Sequence, residues 1–224
     1  MTAEESVGEI TAIEKQANRA RYNVYVNGQY RLSVHEDVLV KHRLMKGAVV
    51  NERQLASVLY DEERQKAMHT ALRYVGRKAR SVLEVKQKLA SLSYEESFIN
   101  SAVDSLLKQG ILNDQEFAMK LAEYRFYTQK KGKRWIEQEL KQKGIASEHI
   151  FEAVSSIHDE MELDQAISLA EKKWHTSKGS FLDKKRKTLS YLLRRGVPQD
   201  IALKAVQTAS ADDGDQDQGQ FHLF

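Results

Sequence analysis

Leu140-Lys141-Gln142-Lys143-Gly144-Ile145, running on to Ala153-Val154, is the stretch on which the fold turns, because its skeleton occurs three times. Placing Leu140 beside Leu89 and Leu192 also places Ala153-Val154 beside Ala102-Val103 and Ala205-Val206, at spacings of 51 and 52 residues. Self-similarity at such a fixed period is the mark of a repeat architecture. Within each copy the apolar residues recur at helical intervals. In the first, Ala67, Ala71, Leu72 and Val75 form one stripe, Val82, Val85 and Leu89 a second, and Ile99, Val103, Leu106 and Leu107 a third. Each unit therefore reads as three helices.

Boundary residues support this division. Ser81 with Glu84, Ser93 with Glu96, and Asn113 with Glu116 have capping-box spacing ahead of apolar periodic segments. Gly110, Gly144 and Gly196 fit helix ends, and Pro198, the one proline, fits the start of the last helix, where a missing N–H costs least. A three-helix unit of about 50 residues buries little apolar surface alone, so stacking into an elongated, curved array is expected.

Residues 1 to 55 read differently. β-type runs at Val7–Ile13 and Tyr22–Val34 surround an Asn27-Gly28 turn, which predicts a small β-hairpin module. A three-residue loop, Val26-Asn27-Gly28, would pair Val24 with Tyr30 and Tyr22 with Leu32 and so make one face apolar. Short helices are expected after Ser33 and Glu36 and from Asn51 with Gln54. The fold class is thus mainly α: three tandem three-helix repeats at residues 60–110, 111–158 and 159–209 follow the β-containing module, and an acidic tail at 210–224, expected to be disordered, closes the chain.

Composition narrows the function. The 224 residues are 41% hydrophobic and 30% charged, enough apolar side chain for a core on long exposed helices. No cysteine occurs, which excludes disulfides, thiolate metal sites and cysteine nucleophiles. Neither an apolar leader nor a membrane-length apolar run is present, so a cytoplasmic protein is expected. Asp212, Asp213, Asp215 and Asp217 lie in a tail without Lys or Arg, so the body of the chain is four charges more positive than the +3 of the whole. A body of that sign suits phosphate backbones or acidic protein surfaces.

Motifs for catalysis are missing: no phosphate loop, no G-x-G-x-x-G, no H-E-x-x-H and no G-x-S-x-G occur. The seven histidines, at 35, 42, 69, 149, 158, 175 and 222, are scattered in sequence without close pairs, so no metal and no cofactor is expected. What recurs is positive charge at the junction between the first and second helices of each unit. Arg77, Lys78 and Arg80 hold it in the first, Lys130, Lys131, Lys133 and Arg134 in the second, and Lys184, Lys185, Arg186 and Lys187 in the third. In a stacked array equivalent loops line one edge, so these clusters predict a basic stripe. Trp135, Tyr124 and Tyr127 flank the middle cluster, and their helical spacing with Ile136 and Leu121 points to core packing rather than base stacking.

The run Ala71-Leu72-Arg73-Tyr74-Val75-Gly76-Arg77-Lys78-Ala79-Arg80-Ser81-Val82-Leu83-Glu84-Val85-Lys86-Gln87-Lys88-Leu89 resembles the signature of the RecX family of recombinase regulators. Gly110-Ile111-Leu112-Asn113-Asp114, Glu116-Phe117-Ala118, Lys131-Gly132-Lys133-Arg134 and Glu139 to Ile145 are similar to the family's central motif. Two positions depart from it: Ser91-Leu92-Ser93-Tyr94 replaces a basic, glycine-containing corner, and Val85 replaces leucine. The resemblance implies a monomeric, non-enzymatic bacterial protein that binds the RecA filament on DNA and limits recombination, repair and SOS functions. Contact with single- or double-stranded DNA is left open. On that reading Arg73 joins the three basic clusters as the contact residues.

Overall fold

The computed structural model describes residues 6–17 and 20–211; the acidic tail expectation lies outside them. The chain divides into two compact units, one of residues up to Arg80 with Glu84–Leu112, the other of Ser81–Leu83 with the chain from Asn113 onward.

The first unit opens with β1 (Ser6–Lys15), β2 (Arg21–Val26), β3 (Gln29–His35), α1 (Glu36–Lys41) and β4 (Val49–Asn51). The strands form an antiparallel sheet in the order β3-β2-β1-β4. The hairpin register differs from the expected one. Val26 pairs with Gln29 across a two-residue loop in which Asn27 and Gly28 both take positive φ, 51° and 79°. This is the turn whose twist matches that of the strands. A bulge between Val24 and Tyr25 then shifts the pairing, so that Val24 faces Leu32 and Tyr22 faces Val34. One apolar face is still achieved, with Val24, Val26, Leu32 and Val34 buried, but the bulge supplies the correction that the longer loop was expected to supply. Tyr30, assigned to that face by the expected register, is 58% exposed.

Helix α1 is capped by His35, not Ser33, whose hydroxyl stays in the sheet and donates to Asn23 Oδ1 at 2.6 Å. Helix α2 (Glu52–Val75) starts on the expected capping box, Asn51 with Gln54, and continues without a break into the first three-helix repeat. Its first turns send Leu55 and Val58 into the sheet core with Ile10, Val38, Leu44 and Val50. Its later turns bury Ala67 and Ala71 with α3 (Val82–Ala90) and α4 (Glu96–Lys108), whose buried residues include Val85, Leu89, Ile99, Val103 and Leu106. Each such Leu or Ile removed from water contributes about 1.5–3 kcal/mol. The α3–α4 corner carries Ser93 at φ 60°, close to the 73° of Gly144 and 82° of Gly196 at the equivalent corners. The departure from glycine therefore keeps the corner's left-handed geometry. It does so without the Ser93–Glu96 capping box, because the N-cap of α4 is Glu95, with no side-chain cap.

The second unit holds α5 (Asp114–Glu123), a π-helical turn (Tyr124–Thr128), α6 (Lys133–Gln142), α7 (Ser147–Ser155), α8 (Asp159–Thr176), α9 (Phe181–Arg194) and α10 (Gln199–Ala209). Asn113 caps α5 by accepting from Glu116 N. Two cores result, one around Phe126, Ile136 and Leu140, the other around the fully buried Trp174, Leu192 and Ala205. Among the described residues no helix is long and apolar enough to cross a membrane.

Candidate partner-binding surface

Helix α6 begins at Gly132 without a side-chain cap, yet its first backbone donors are satisfied. Gly132 N donates to Arg195 O at 2.8 Å, Lys133 N to Glu162 Oε1 at 2.8 Å and Arg134 N to Gly196 O at 3.1 Å. These are the N–H groups that a helix start leaves without internal partners, and here the third repeat accepts them. The contact is reciprocal, because Arg195 Nη1 donates to the carbonyls of Gln129 and Lys130, both at 3.0 Å. The same device occurs one repeat earlier in the second unit. Val82 N, at the start of α3, donates to Asp114 Oδ1 at 2.9 Å, Ser81 Oγ donates to Lys143 O at 2.8 Å, and Leu83 sits against Gly144. Each time, the start of a second helix seats on the glycine corner of the next repeat, and an acid from that repeat's first helix accepts an orphan N–H.

Glu162 is 1% exposed, and burial pushes its carboxyl above the ordinary carboxylate range. A raised folded-state value means that the protonated form favours folding. That contribution is complete below the unfolded value and disappears as pH rises through the folded one. Glu162→Gln keeps the acceptor for Lys133 N while removing the buried charge, so it should equal or exceed the wild type in stability at neutral pH and flatten the pH dependence. Glu162→Ala strips the acceptor and should cost about 1–3 kcal/mol. Urea midpoints at neutral and mildly acidic pH check both.

The locked corner presents the middle basic cluster. Lys130, at φ 54°, and Arg134 are exposed, Lys131 Nζ lies 4.2 Å from the centroid of the Trp135 ring, and Lys133 Nζ pairs with Asp159 at 2.5 Å. That pairing holds the Asp159 carboxyl below its usual range. Arg125 makes a bidentate pair with Glu139, both contacts 2.6 Å, and its guanidinium also lies 5.4 Å from Trp135 and 5.7 Å from Tyr124. Trp135 packs against the core as expected. Tyr124 and Tyr127 do not: they are 50% and 45% exposed. The buried row runs Ala118, Ala122, Phe126, and the wider π turn keeps that spacing on the inner face, leaving both tyrosines outside.

The third cluster is not at a helix junction. Lys184, Lys185, Arg186 and Lys187 lie inside α9, where consecutive residues are rotated to different faces. Lys184 turns toward Trp174, 5.5 Å from its ring centroid. Arg186 and Lys187 instead line a groove of about 540 Å³ with Lys173, Ser190, Leu193 and Arg194. Lys173 and Arg194 were missed by the sequence reading. The intervals between Arg186, Lys187, Ser190 and Arg194 are those of one helix face and could have revealed half of the groove.

In the first unit Arg77 and Lys78 are exposed, while Arg80 stacks on Tyr74 with 4.1 Å to the ring centroid and approaches Glu84 at 3.5 Å. Arg73 lies apart from them, lining a cavity of about 710 Å³ with Arg21, His35, Lys66, His69 and Tyr94.

Comparison with known proteins accounts for nearly the whole chain. Residues 8–51 match the regulatory protein RecX N-terminal domain, and residues 67–106, 113–154 and 159–206 match the first, second and third three-helix domains of RecX. The chain is 36% identical over 202 residues to the regulatory protein RecX of Halalkalibacterium halodurans, covering 88% of this chain and 76% of the relative. It is 32% identical over 222 residues to that of Bacillus cytotoxicus, covering 95% of this chain and 82% of the relative. A crystal structure of regulatory protein RecX superposes with a TM-score of 0.73 at 28% identity, covering 88% of this chain and 99% of the other. That of RecX from Lactobacillus salivarius gives 0.62 at 27% identity, covering 67% and 99%. A β-hairpin module, three three-helix repeats, and this similarity along the chain lead to one conclusion: the protein belongs to the RecX family of regulatory proteins.

Proposed function

We propose that this chain binds the RecA filament on DNA and inhibits its recombinase activity, through charge and shape and without a reaction of its own, thereby restraining recombination, repair and the SOS response. Membership of the RecX family supports the choice of partner. The observation that carries the reading is the basic surface of the second unit. There Lys130 and Arg134 ride on a corner gripped by Arg195, the neighbour in sequence of Arg194 in the four-cation groove. Cations on a fixed backbone lose little freedom when they meet phosphates or carboxylates. Such a surface could lie against a DNA-bound protein filament and touch either component.

The test is RecA ATPase and DNA strand pairing with rising amounts of protein. Wild type should inhibit near stoichiometry with RecA. Lys130→Glu combined with Arg134→Glu should raise the half-inhibitory concentration about tenfold, equivalent to about 1.4 kcal/mol, with an unchanged melting temperature because both side chains are exposed. Inhibition that survives the double reversal would show that this edge is not the contact.

A second reading, direct binding of naked DNA, is favoured by the groove of Lys173, Arg186, Lys187 and Arg194. It requires affinity for DNA without RecA that falls steeply with salt, by a log–log slope of about 0.9 for each phosphate neutralised.

A further inference from the structure

In the first unit, three side chains from β3, α1 and α2 come together beside the cavity that Arg73, His35 and His69 line. His35 from the end of β3, Asp37 from α1 and His69 from α2 bring one ligand-type atom each to within 4.8 Å of one another. We infer that His35, Asp37 and His69 form a binding site for a divalent transition-metal ion of the zinc class.

The hydrogen bonding among these groups supports the assignment. Gln65 Nε2 lies 2.8 Å from Asp37 Oδ2 and 3.3 Å from His69 Nε2. An amide nitrogen only donates, so His69 Nε2 is the bare acceptor and its lone pair points into the cluster. His35 Nδ1 faces a conflict. It accepts from Asp37 N at 3.3 Å, which needs a lone pair, and lies 3.3 Å from Asp37 Oδ2, which is attractive only if Nδ1 carries a proton. With Nδ1 bare, Asp37 N keeps its acceptor and Asp37 Oδ2 keeps the Gln65 donor, while Nδ1 and Oδ2 face each other as two lone-pair atoms. A cation between Nδ1 and Oδ2 would relieve that contact, taking the Nδ1 lone pair from Asp37 N and the place of the Gln65 amide between Asp37 and His69.

One of the distances matches a coordination edge. Zinc holds imidazole nitrogen at about 2.0–2.1 Å and carboxylate oxygen at about 2.0–2.2 Å, so the edges of a tetrahedral site are about 3.4 Å. The separation of 3.3 Å between Nδ1 and Oδ2 is close to such an edge; the three atoms lie within 4.8 Å of one another, so an ion would have to draw them closer and displace the Gln65 amide. The His35 and His69 rings are in edge-to-face contact, 4.4 Å apart between centroids and inclined at 78°. His35 is held in place by its own backbone, whose N–H donates to the buried Glu62 Oε2 at 2.7 Å. Two imidazoles and one carboxylate suit zinc, nickel, cobalt or copper and not calcium or magnesium.

The surrounding charge does not forbid a cation. Arg21 lies 2.7 Å from Glu62, and Lys66 lies 2.7 Å from Glu63. Arg73 also lines the cavity wall, and Asp37 is the anion of the site. Three protein donors leave at least one coordination position for water on the cavity side. An ion here would tie α1 to α2 and stabilise the first unit by mass action.

The experiment uses the full chain stripped with a chelator and titrated with zinc by calorimetry, with cobalt as an optical reporter and histidine nitrogen spectra to locate the ligands. One equivalent should bind, the melting temperature should rise with zinc concentration, and the His35 and His69 resonances should shift. Binding should weaken as pH falls and the imidazoles take up protons. His69→Gln and Asp37→Asn should each weaken zinc binding at least about tenfold while leaving the zinc-free melting temperature near that of the wild type. The absence of saturable binding in the wild type, or binding with unchanged His35 and His69 resonances, would overturn the inference, as would undiminished affinity in a folded His69→Gln protein.

Discussion

Gly196→Ala should lower the melting temperature of the second unit by about 15–30 °C, the equivalent of about 4 kcal/mol in a domain of this size. Two costs combine. Gly196 takes φ 82°, and a Cβ there would lie 2.3 Å from Trp135 Cβ and 2.4 Å from Trp135 N. The left-handed conformation costs a non-glycine residue about 1–3 kcal/mol where the surroundings enforce it, and overpacking against a fixed neighbour adds about 1–3 kcal/mol. The neighbour cannot yield, because Trp135 N belongs to the start of α6, which Arg195 and Gly196 hold by backbone hydrogen bonds. Gly132→Ala separates the terms: its φ is ordinary, but its Cβ would lie 2.4 Å from Gly196 C and O. Gly110→Ala separates them the other way, since φ is 68° with nothing within 4 Å of the added Cβ. Thermal unfolding followed by circular dichroism should rank Gly196→Ala as most damaging and Gly110→Ala as least. Equal losses at Gly196 and Gly110 would mean that the corner contact contributes nothing.

Glu62→Ala should destabilise the first unit by about 3–5 kcal/mol, the cost of removing one partner from a buried charged arrangement. Glu62 is 2% exposed. Its Oε2 accepts from His35 N at 2.7 Å and its Oε1 lies 2.7 Å from Arg21 Nη2, so one side chain of α2 holds both the end of β3 and the start of β2. Loss of the carboxylate leaves a buried backbone donor and a partly buried guanidinium without their acceptor, besides a cavity. Glu62→Gln keeps an oxygen for His35 N and should cost less. Denaturant unfolding measures both, and indistinguishable midpoints for the two variants would show that the ion pair, not the backbone contact, dominates.

Much of this architecture was legible before any coordinates. The repeat of Leu89, Leu140 and Leu192 locates three second helices, and all three leucines are fully buried. Asn51 with Gln54, and Asn113 ahead of Glu116, mark helix starts because a cap is a local interaction between neighbours in sequence. Where a polar side chain found a stronger distant partner, the same logic failed. Ser33 has the right spacing to Glu36, but it bonds to Asn23 across the hairpin, and the cap falls to His35. The hairpin shows the limit in another form. Alternation demanded an apolar face, and that face exists, but a two-residue turn with a bulge and a three-residue loop satisfy the demand equally, and only the packed sheet distinguishes them.

The basic clusters divide along the same line. Lys130 and Arg134 are exposed at a junction, as their sequence position suggests. The charge of Lys184 to Lys187 was legible, but its direction was not, because direction depends on where α9 begins and on what Trp174 and Lys173 place opposite it. Sequence by itself determined the helical units, their period, the sign of the surface and the turn at Asn27-Gly28, since each follows from contacts within a few residues or from composition. Tertiary structure alone decided that α6 is capped by the backbone of Arg195 and Gly196, that Glu62 and Glu162 are buried acceptors, and that His35, Asp37 and His69 meet. Apart from His35 and Asp37, two positions apart, those contacts join residues tens of positions apart, and no pattern along one chain records which distant donor will face which acceptor.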